Sequence, residues 1–300
     1  MPTVSGTQKT YSQVGLKEDI EDIIYDISPT DTPMLSSIGS TTASNTLHQW
    51  QQDSLAAVAA NKAVEGADAG TAATTTGVMK SAYTQIFSKT VQVSGTAEAV
   101  GKYGRASELS YVVSRGGLEL KRDIEHAFVG LSQTGAAGDA STARELKSAN
   151  KQISANTTGT AGSNRAFTEA LLLGVMQNVF EKGGEPNQVQ VTPSHASTVA
   201  GFAAASGRQR DFGQAKTITN SVDVYINPWN GETAIIPNIF MQENQCLIVD
   251  TEHWSRAVLR PMQTIQLSKT GDSDKRQMLT ELTLVCEHSE SSGLLEALTA

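Results

Sequence analysis

Residues 107–131 constrain the fold of this chain more than any other stretch. Their apolar side chains recur at helical spacing and form a stripe along one side: Leu109, Val112, Val113, Leu120, Ile124, Ala127, Phe128 and Leu131. Ser107 fits an N-cap, and Glu108 places an acid in the first turn. At about 1.5 Å per residue the helix would be roughly 40 Å long, which suggests a strut.

Two glycines, Gly116 and Gly117, lie in the middle of this predicted helix. Each costs about 1 kcal/mol relative to alanine in a helix interior. They indicate either a helix break or close packing contact, or a point at which the strut bends. Ion pairs across one helical turn are also expected for Glu119 with Arg122 and for Lys121 with Glu125.

The first 40 residues predict an arm followed by two helices. Residues 1–15 are polar and predict an extended arm, and helical spacing of apolar residues predicts a helix over residues 16–27. Ser28 ends that helix, because the residue before a proline is pushed out of the helical region. Pro33 as the first helical residue and Gly39 as a stop then predict a short helix.

From residue 46 onward the apolar period changes to two, which is typical of strands. Residues 46–55 and 83–93 predict two strands, and the Ala-, Gly- and Thr-rich residues 56–77 between them predict a loop tip. Together they would form an extended hairpin, which is marginally stable alone in water. The hairpin therefore needs a surface, and either the strut or a neighbouring subunit would serve.

The second half of the chain predicts a small α/β unit followed by returning strands. Residues 167–182 predict a helix, residues 187–192 a short strand, and residues 193–205 a second helix. Further strands are predicted near residues 218–226, 233–236, 246–250 and 256–260, from residue 265 onward, and in a long final strand over 278–286.

Composition limits the function classes. A net charge of −8 argues against a surface that tracks nucleic-acid phosphates, although it does not exclude enclosing nucleic acid. The two cysteines, Cys246 and Cys286, cannot form a disulfide framework and predict a buried reduced pair. No apolar run approaches the roughly 18 residues that span a membrane, so no membrane partner is expected.

Residues of the types that catalyse reactions or bind metals and cofactors are scattered along the sequence. No phosphate loop, dinucleotide fingerprint or nucleophile elbow occurs. Cys286 with His288 is too small a set for zinc, and adjacent Ser194 and His195 do not make a triad. Structural or solvated roles are favoured for three further sets of candidates: Asp250 and Glu252 as an acid pair, Trp50, Trp229 and Trp254 for base stacking, and Lys62 and Lys80 for cross-linking. For Arg208 and Arg210, contact with a phosphate or a carboxylate is as well supported as a solvated loop. We therefore predict no catalytic, cofactor-binding or metal residues.

Three stretches carry a family resemblance. They are Ser-Pro-Thr-Asp-Thr-Pro-Met at 28–34 with Leu-His-Gln-Trp-Gln-Gln-Asp-Ser-Leu at 47–55, the strut at 107–131, and Lys-Thr-Gly-Asp-Ser-Asp-Lys at 269–275 with the final strand. In this order they resemble the major capsid proteins of tailed bacteriophages with the HK97-type fold, particularly the phage SU10-like major capsid proteins. One departure is Gln49, where the family commonly has an acid before the tryptophan.

The resemblance implies an α+β fold, the HK97-like capsid fold. Its parts would be 1–45 as the N-terminal arm, 46–103 as the E-loop β-hairpin with flanks, 104–160 as the peripheral domain with the long spine helix, 161–261 as the axial α/β domain, and 262–300 as return strands of the peripheral domain. It also implies a non-enzymatic structural subunit. Copies would assemble through pentamers and hexamers into an icosahedral capsid around phage double-stranded DNA, with E-loops lying across neighbouring subunits.

The implied partners are other copies of the chain, a portal, decoration proteins and a separate scaffolding protein. A separate scaffold is expected because no large charged coiled-coil segment precedes the arm. DNA would be enclosed without sequence-specific binding, in a virion assembled in the bacterial host cytoplasm. Two alternatives stay open. An encapsulin-like nanocompartment would have a cargo-peptide groove, and a soluble α/β hydrolase would need a nucleophile motif that the chain lacks.

Overall fold

The computed structural model describes residues 28–70, 76–159, 163–205, 224–229 and 231–299, and it confirms the predicted α+β class. The helices in these ranges are α1 (Pro33–Ser37), α2 (Gly95–Ala99), α3 (Glu108–Glu125), α4 (Ala149–Gln152), α5 (Glu169–Glu181) and α6 (Pro193–Ala205), with a π-helical turn at His126–Gly130 and a 3-10 turn at Thr251–His253. The strands are β1 (Gly39–Thr42), β2 (Leu47–Gln52), β3 (Val78–Tyr83), β4 (Gln85–Ser94), β5 (Thr134–Ala136), β6 (Glu145–Lys147), β7 (Thr157–Thr158), β8 (Gln188–Val191), β9 (Val224–Asn227), β10 (Gly231–Pro237), β11 (Cys246–Val249), β12 (Trp254–Gln266), β13 (Ser273–Cys286) and β14 (Gly293–Leu295). The predicted arm over 1–15, the helix over 16–27, and Arg208 and Arg210 lie outside the described residues.

A four-stranded sheet in the order β1-β12-β13-β4 carries the long helix α3 on one face. The β1–β12 pair is parallel and the other pairs are antiparallel. Leu120 and Ile124 of α3 share one buried cluster with Phe87, Val91 and Met278 of the sheet. The strut prediction is therefore confirmed, because the apolar stripe of α3 covers this sheet.

The hairpin pairing differs from the prediction. Residues 83–93 were expected to form the second hairpin strand, but β4 pairs with β13 in the body, and β3 is the partner of β2. The chain changes sheets at Thr84, whose N–H donates to the Thr46 carbonyl and whose hydroxyl donates to Glu281. Alternation continues through this junction, so the apolar pattern alone hides it.

A second correction concerns β12. Two separate strands were predicted, near 256–260 and from 265 onward, but β12 is one strand with register shifts between Val258 and Arg260 and between Arg260 and Gln263. Pro261 lies in this irregular segment, where a strand tolerates a residue without an N–H. The expected domain boundary at residue 261 falls inside β12, so the division into domains stays a prediction.

The six-stranded sheet has the order β7-β14-β11-β8-β10-β9, with α5 packed against β14 and α6 against β8 and β10. Leu172 and Val175 of α5 share a buried cluster with Val189, Ile248 and Leu295 of the sheet. The predicted helix–strand–helix unit is present. The last strand of the described ranges, β14, also joins this sheet rather than the four-stranded one.

The helix α3 begins as predicted, with the Ser107 hydroxyl accepting from the Ser110 N–H at 3.2 Å, and it runs without a break through both glycines. A Cβ at Gly116 would collide with the Met278 methyl group and lie 3.3 Å from a Val91 methyl carbon. Close packing is therefore confirmed at Gly116, whereas bending at the glycine pair stays a prediction. None of the helices in the described ranges combines the length and apolarity needed to cross a bilayer.

The expected ion pairs on α3 are absent. Glu119 binds Lys89 of β4 at 2.8 Å and Arg115 at 3.4 Å instead of Arg122. Glu125 is fully buried and turns away from Lys121. The prediction was wrong because it considered only neighbours on the helix, and packing on β4 and α1 supplies stronger partners.

Candidate assembly interface

The hairpin projects from the body as an antiparallel pair of β2 and β3, in register from Leu47 opposite Tyr83 to Gln52 opposite Val78. Residues 53–77 connect the strands, and we call them the tip. The described part of the tip contains no helix or strand, and Leu55 is 98% exposed, with Val58 and Val64 similarly open. An apolar segment of this kind gains stability only when another surface covers it.

The root of the hairpin is anchored through a buried carboxylate. Glu281 of β13 accepts hydrogen bonds from the Thr84 hydroxyl at 2.8 Å, from Arg260 Nε at 2.8 Å and from the Arg144 guanidinium. Two arginines on one carboxylate form strong charge-assisted hydrogen bonds. The three hydrogen bonds to Glu281 join the residue before β4, the loop before β6, and the long β12–β13 pair. The hairpin therefore leaves the body from a fixed position.

The side chain of Trp50 adds an apolar contact at the same root. It packs on a small buried cluster formed by Ala43, Ala257 and Val285. The adjacent ring of His48 lies 6.0 Å from it, centroid to centroid. The base of the hairpin is therefore seated on the four-stranded sheet, while the tip is not.

A second buried carboxylate, that of Glu125, connects the short helix α1 to α3 and to the six-stranded sheet. Glu125 at the end of α3 accepts from the backbone N–H groups of Met34 and Leu35 at 2.9 and 2.8 Å, and from Asn238 Nδ2 at 2.7 Å. Asn238 also donates to Gln190 of β8 at 3.1 Å. Desolvation raises the pKa of Glu125, although the three donors oppose that shift. The group ties α1, α3 and the six-stranded sheet together.

The Ser194–His195 pair does not assemble a nucleophile. His195 is buried, with Nδ1 3.0 Å from the Thr192 hydroxyl and Nε2 3.0 Å from the Thr299 carbonyl oxygen. Its ring meets Phe167 edge-on. Both ring nitrogens are occupied by structural contacts, and neither partner is an acid.

The cysteines are free and buried as expected. Burial raises the pKa of the Cys286 thiol to about 12 and raises that of Cys246 as well, so both stay protonated at neutral pH. His288 lies against His253, with ring centroids 5.7 Å apart. Within the described residues, no group of three or more potential ligands is placed to hold a metal ion.

Asp250 corrects another expectation. It was predicted to be solvated beside Glu252, but its carboxylate is buried and accepts from the N–H groups of Glu252 at 3.3 Å and Glu185 at 3.4 Å. It caps the 3-10 turn, while Glu252 points to solvent. The tryptophans are dispersed as expected, since Trp254 lies in the cluster around α3, Trp229 packs on the cluster of the six-stranded sheet, and Trp50 packs on a third, small cluster. Lys62 is exposed on the tip, and Lys80 lies opposite Trp50.

Comparison with known proteins gives matches over almost the whole chain. The model of the SU10 major capsid protein family matches residues 3–299. The major capsid protein of Escherichia phage Phieco32 is 28% identical over 335 aligned positions, covering 95% of each chain.

Solved structures share the fold at low identity. The cyanophage A-1(L) capsid asymmetric unit aligns with a TM-score of 0.70 and 13% identity, covering 95% of this chain and 98% of that one. The holo-SrpI encapsulin complex from Synechococcus elongatus PCC 7942 aligns less well, with a TM-score of 0.61 and 9% identity over 95% of this chain and 92% of that one. The projecting hairpin, the long helix on its sheet and the second sheet therefore form the HK97-like capsid fold. The chain is a capsid shell subunit and belongs to the SU10 major capsid protein family.

Proposed function

We propose that copies of this chain assemble through pentamers and hexamers into an icosahedral shell around phage double-stranded DNA, with each hairpin lying across a neighbouring subunit. The observation that carries the proposal is the tip, which exposes Leu55, Val58 and Val64 and has no cover within the described part of its own chain. A closed assembly of identical subunits would supply that cover from a second copy.

The charge of the chain supports a container for DNA. A net charge of −8 favours a wall that does not grip the packaged polymer. We further propose a separate scaffolding protein, a portal and decoration proteins as partners, with assembly in the host cytoplasm. The shell subunit would have no enzymatic role, and His195 without an acid partner supports this.

The runner-up is an encapsulin-like nanocompartment, which the SrpI likeness supports through the fold alone. The family match favours a phage shell instead. The remote hydrolase alternative has no support in the geometry of Ser194, whose hydroxyl lies 3.2 Å from that of Thr192.

Removing the tip tests the assembly role. Deleting residues 59–77, or replacing residues 53–77 with a Gly/Ser segment of equal length so that Leu55 and Val58 are also removed, should leave a soluble subunit whose melting temperature is unchanged. The first variant changes both the length and the side chains, whereas the second changes only the side chains. Electron microscopy should then show few or no shells for either variant. Normal shells from both variants would refute the role of the tip.

A further inference from the structure

A small pocket lies beside the root of the hairpin, between β3, β6 and the end of β13. Its volume is about 60 Å³, which is several times the roughly 10–15 Å³ that one water requires. Among the described residues, the charged side chains that line it are Lys80 and Lys147, and no carboxylate does so. The pocket is thus large enough for a carboxylate and carries the opposite charge.

The two lysines are not neutralised. Neither of them forms an ion pair with any residue that the structure describes. Burial, followed by the charge of Lys80, lowers the pKa of Lys147. Two ammonium groups on one small pocket repel each other, and an anion bound there would offset that repulsion.

Neutral polar side chains line the same pocket. Trp50 contributes to its wall, and the indole Nε1 of the same residue is buried without a hydrogen-bond partner among the described residues. This group can only donate, and a buried donor without an acceptor is unfavourable. The hydroxyls of Ser154 and Ser289 also line the pocket. This lining suits a ligand that is small, anionic and accepts hydrogen bonds only, which describes a carboxylate.

The hairpin tip offers carboxylates of this kind. Glu65 and Asp68 are exposed, and neither forms an ion pair within the described ranges. No described residue of the tip (53–70, 76 and 77) lines the pocket in its own chain. We propose that the pocket formed by Lys80, Lys147 and Trp50 binds a carboxylate from Glu65 or Asp68 on the tip of a neighbouring copy. This inference rests on the proposed docking of each hairpin onto a neighbour.

Neutralising the pocket separates this role from a structural one. Replacing Lys80→Met and Lys147→Met together should leave the melting temperature of the subunit equal or higher, because like charges no longer face each other. The association constant between subunits should fall about tenfold or more, which corresponds to about 1.4 kcal/mol. Lys151→Met is the matched control, since Lys151 is exposed and does not line the pocket. A lower melting temperature with normal assembly would overturn the proposal.

Mixing two charge-reversed chains tests the source of the carboxylate. One chain carries Lys80→Glu and Lys147→Glu, and the other carries Glu65→Lys and Asp68→Lys. Each chain alone should associate poorly because its pocket and tip have the same sign, whereas a mixture should associate by alternation into even-membered rings such as hexamers. A five-membered ring cannot alternate completely, so hexamer formation, and not a closed shell, is the readout of rescue. No rescue in the mixture, with rescue when all four changes are in one chain, would mean that each tip fills its own pocket and would overturn the proposal.

Inorganic phosphate serves as the free-anion probe at constant ionic strength. If phosphate raises the melting temperature of the wild-type subunit but not of the methionine variant, and the mixture is not rescued, the pocket holds a free anion and the proposal is wrong.

If tip deletion abolishes shells while the pocket variants assemble normally, the pocket proposal alone fails. The proposed role of the hairpin fails only if tip deletion has no effect.

Discussion

The core strand β11 and the hairpin tip contain the same kinds of aliphatic residue, yet their surroundings are opposite. Leu247 and Val249 of β11 are fully buried among the side chains of both sheets, whereas Leu55 of the tip is 98% exposed. A single chain thus covers the apolar residues of its two-sheet body but leaves those of its hairpin tip exposed. We therefore propose that the apolar residues of the tip contribute to assembly rather than to folding.

Charged residues repeat this contrast. Glu125 and Glu281 are buried and each meets three donors, while Glu65 and Lys62 of the tip are exposed and form no ion pair in the described ranges. Buried charge without a partner is costly, so the body must satisfy its acids internally. The charged residues of the tip are exposed to water and need no such partners until the tip binds another subunit.

The largest effect is expected at the root, where body and hairpin meet. Glu281→Ala leaves two arginines without their anion and should lower the free energy of unfolding by about 3 kcal/mol. Urea unfolding of the isolated subunit measures this. Glu119→Ala, which removes a half-exposed ion pair, is the control and should cost less than about 1 kcal/mol. Equal effects at the two sites would show that the root is not a fixed anchor.

A matched pair of leucines tests the contrast directly. Leu284→Ala in β13 removes a fully buried side chain and should cost about 2–5 kcal/mol in unfolding free energy, because Leu284 belongs to the core cluster around α3. Leu55→Ala should leave the unfolding free energy within about 0.5 kcal/mol. Light scattering of assembly reactions should show the reverse order, with Leu55→Ala assembling less well. A stability loss at Leu55 would place the tip in the folded core.

The pH dependence of Glu125 gives a smaller effect with a defined sign. Because burial raises the pKa of this carboxyl in the folded state, its contribution favours folding most at low pH and declines as pH rises from about 4.5 through the folded pKa. Glu125→Gln should remove that decline and cost about 1–3 kcal/mol by setting an amide against backbone donors. Urea unfolding between about pH 3 and pH 7 measures both, and the range below pH 4.5 covers the control.

Glu119→Gln is the control for this pH series. The hydrogen bond from Lys89 lowers the pKa of Glu119, so its contribution to stability is present above the unfolded pKa and is lost as pH falls. The two variants should therefore change the slope of stability against pH in opposite directions. The same sign for both would contradict the burial of Glu125.

The smallest effect is expected within α3. Gly116→Ala should destabilise the subunit by about 1 kcal/mol because crowding against Val91 and Met278 outweighs helix propensity. Gly117→Ala should stabilise it by up to about 1 kcal/mol, since the nearest atom, the Met262 methyl carbon, would lie 3.5 Å from the new Cβ. Thermal unfolding separates the two. Altered shell assembly by Gly117→Ala despite higher stability would support bending at this point, and unchanged assembly would favour packing alone.

Most elements of the body could be predicted from the pattern of apolar residues, since α3, α5 and β13 each carry an apolar stripe, and the short strands β8 and β11 are buried throughout. The missed features depend on distant partners. Glu281 lies on the face of β13 opposite the predicted stripe, and only the three-dimensional position of Arg144 and Thr84 makes it an anchor. Glu125 similarly depends on the backbone of α1, 90 and 91 residues away along the chain.

The sequence predicted that a loop projects from the body, but not the basic pocket or the strand pairing at its base. The Ala- and Gly-rich composition of the tip indicated a projecting loop, and the structure agrees. The basic pocket was not predicted, because Lys80 and Lys147 come from separate strands that meet only after folding. Alternation also continued past Tyr83, so the switch from hairpin to body at Thr84 carried no visible signal.

Cleavage at Lys62 most directly tests whether the tip is completed by a neighbour. Lys62 is the only lysine or arginine between Asp53 and Gly77, so trypsin has a single site within the tip. Free subunits should be cut rapidly after Lys62, whereas subunits in assembled shells should resist cleavage by about a hundredfold, which corresponds to about 2.7 kcal/mol of protection. Equally fast cleavage at Lys62 in intact shells would show that no neighbouring subunit covers the tip.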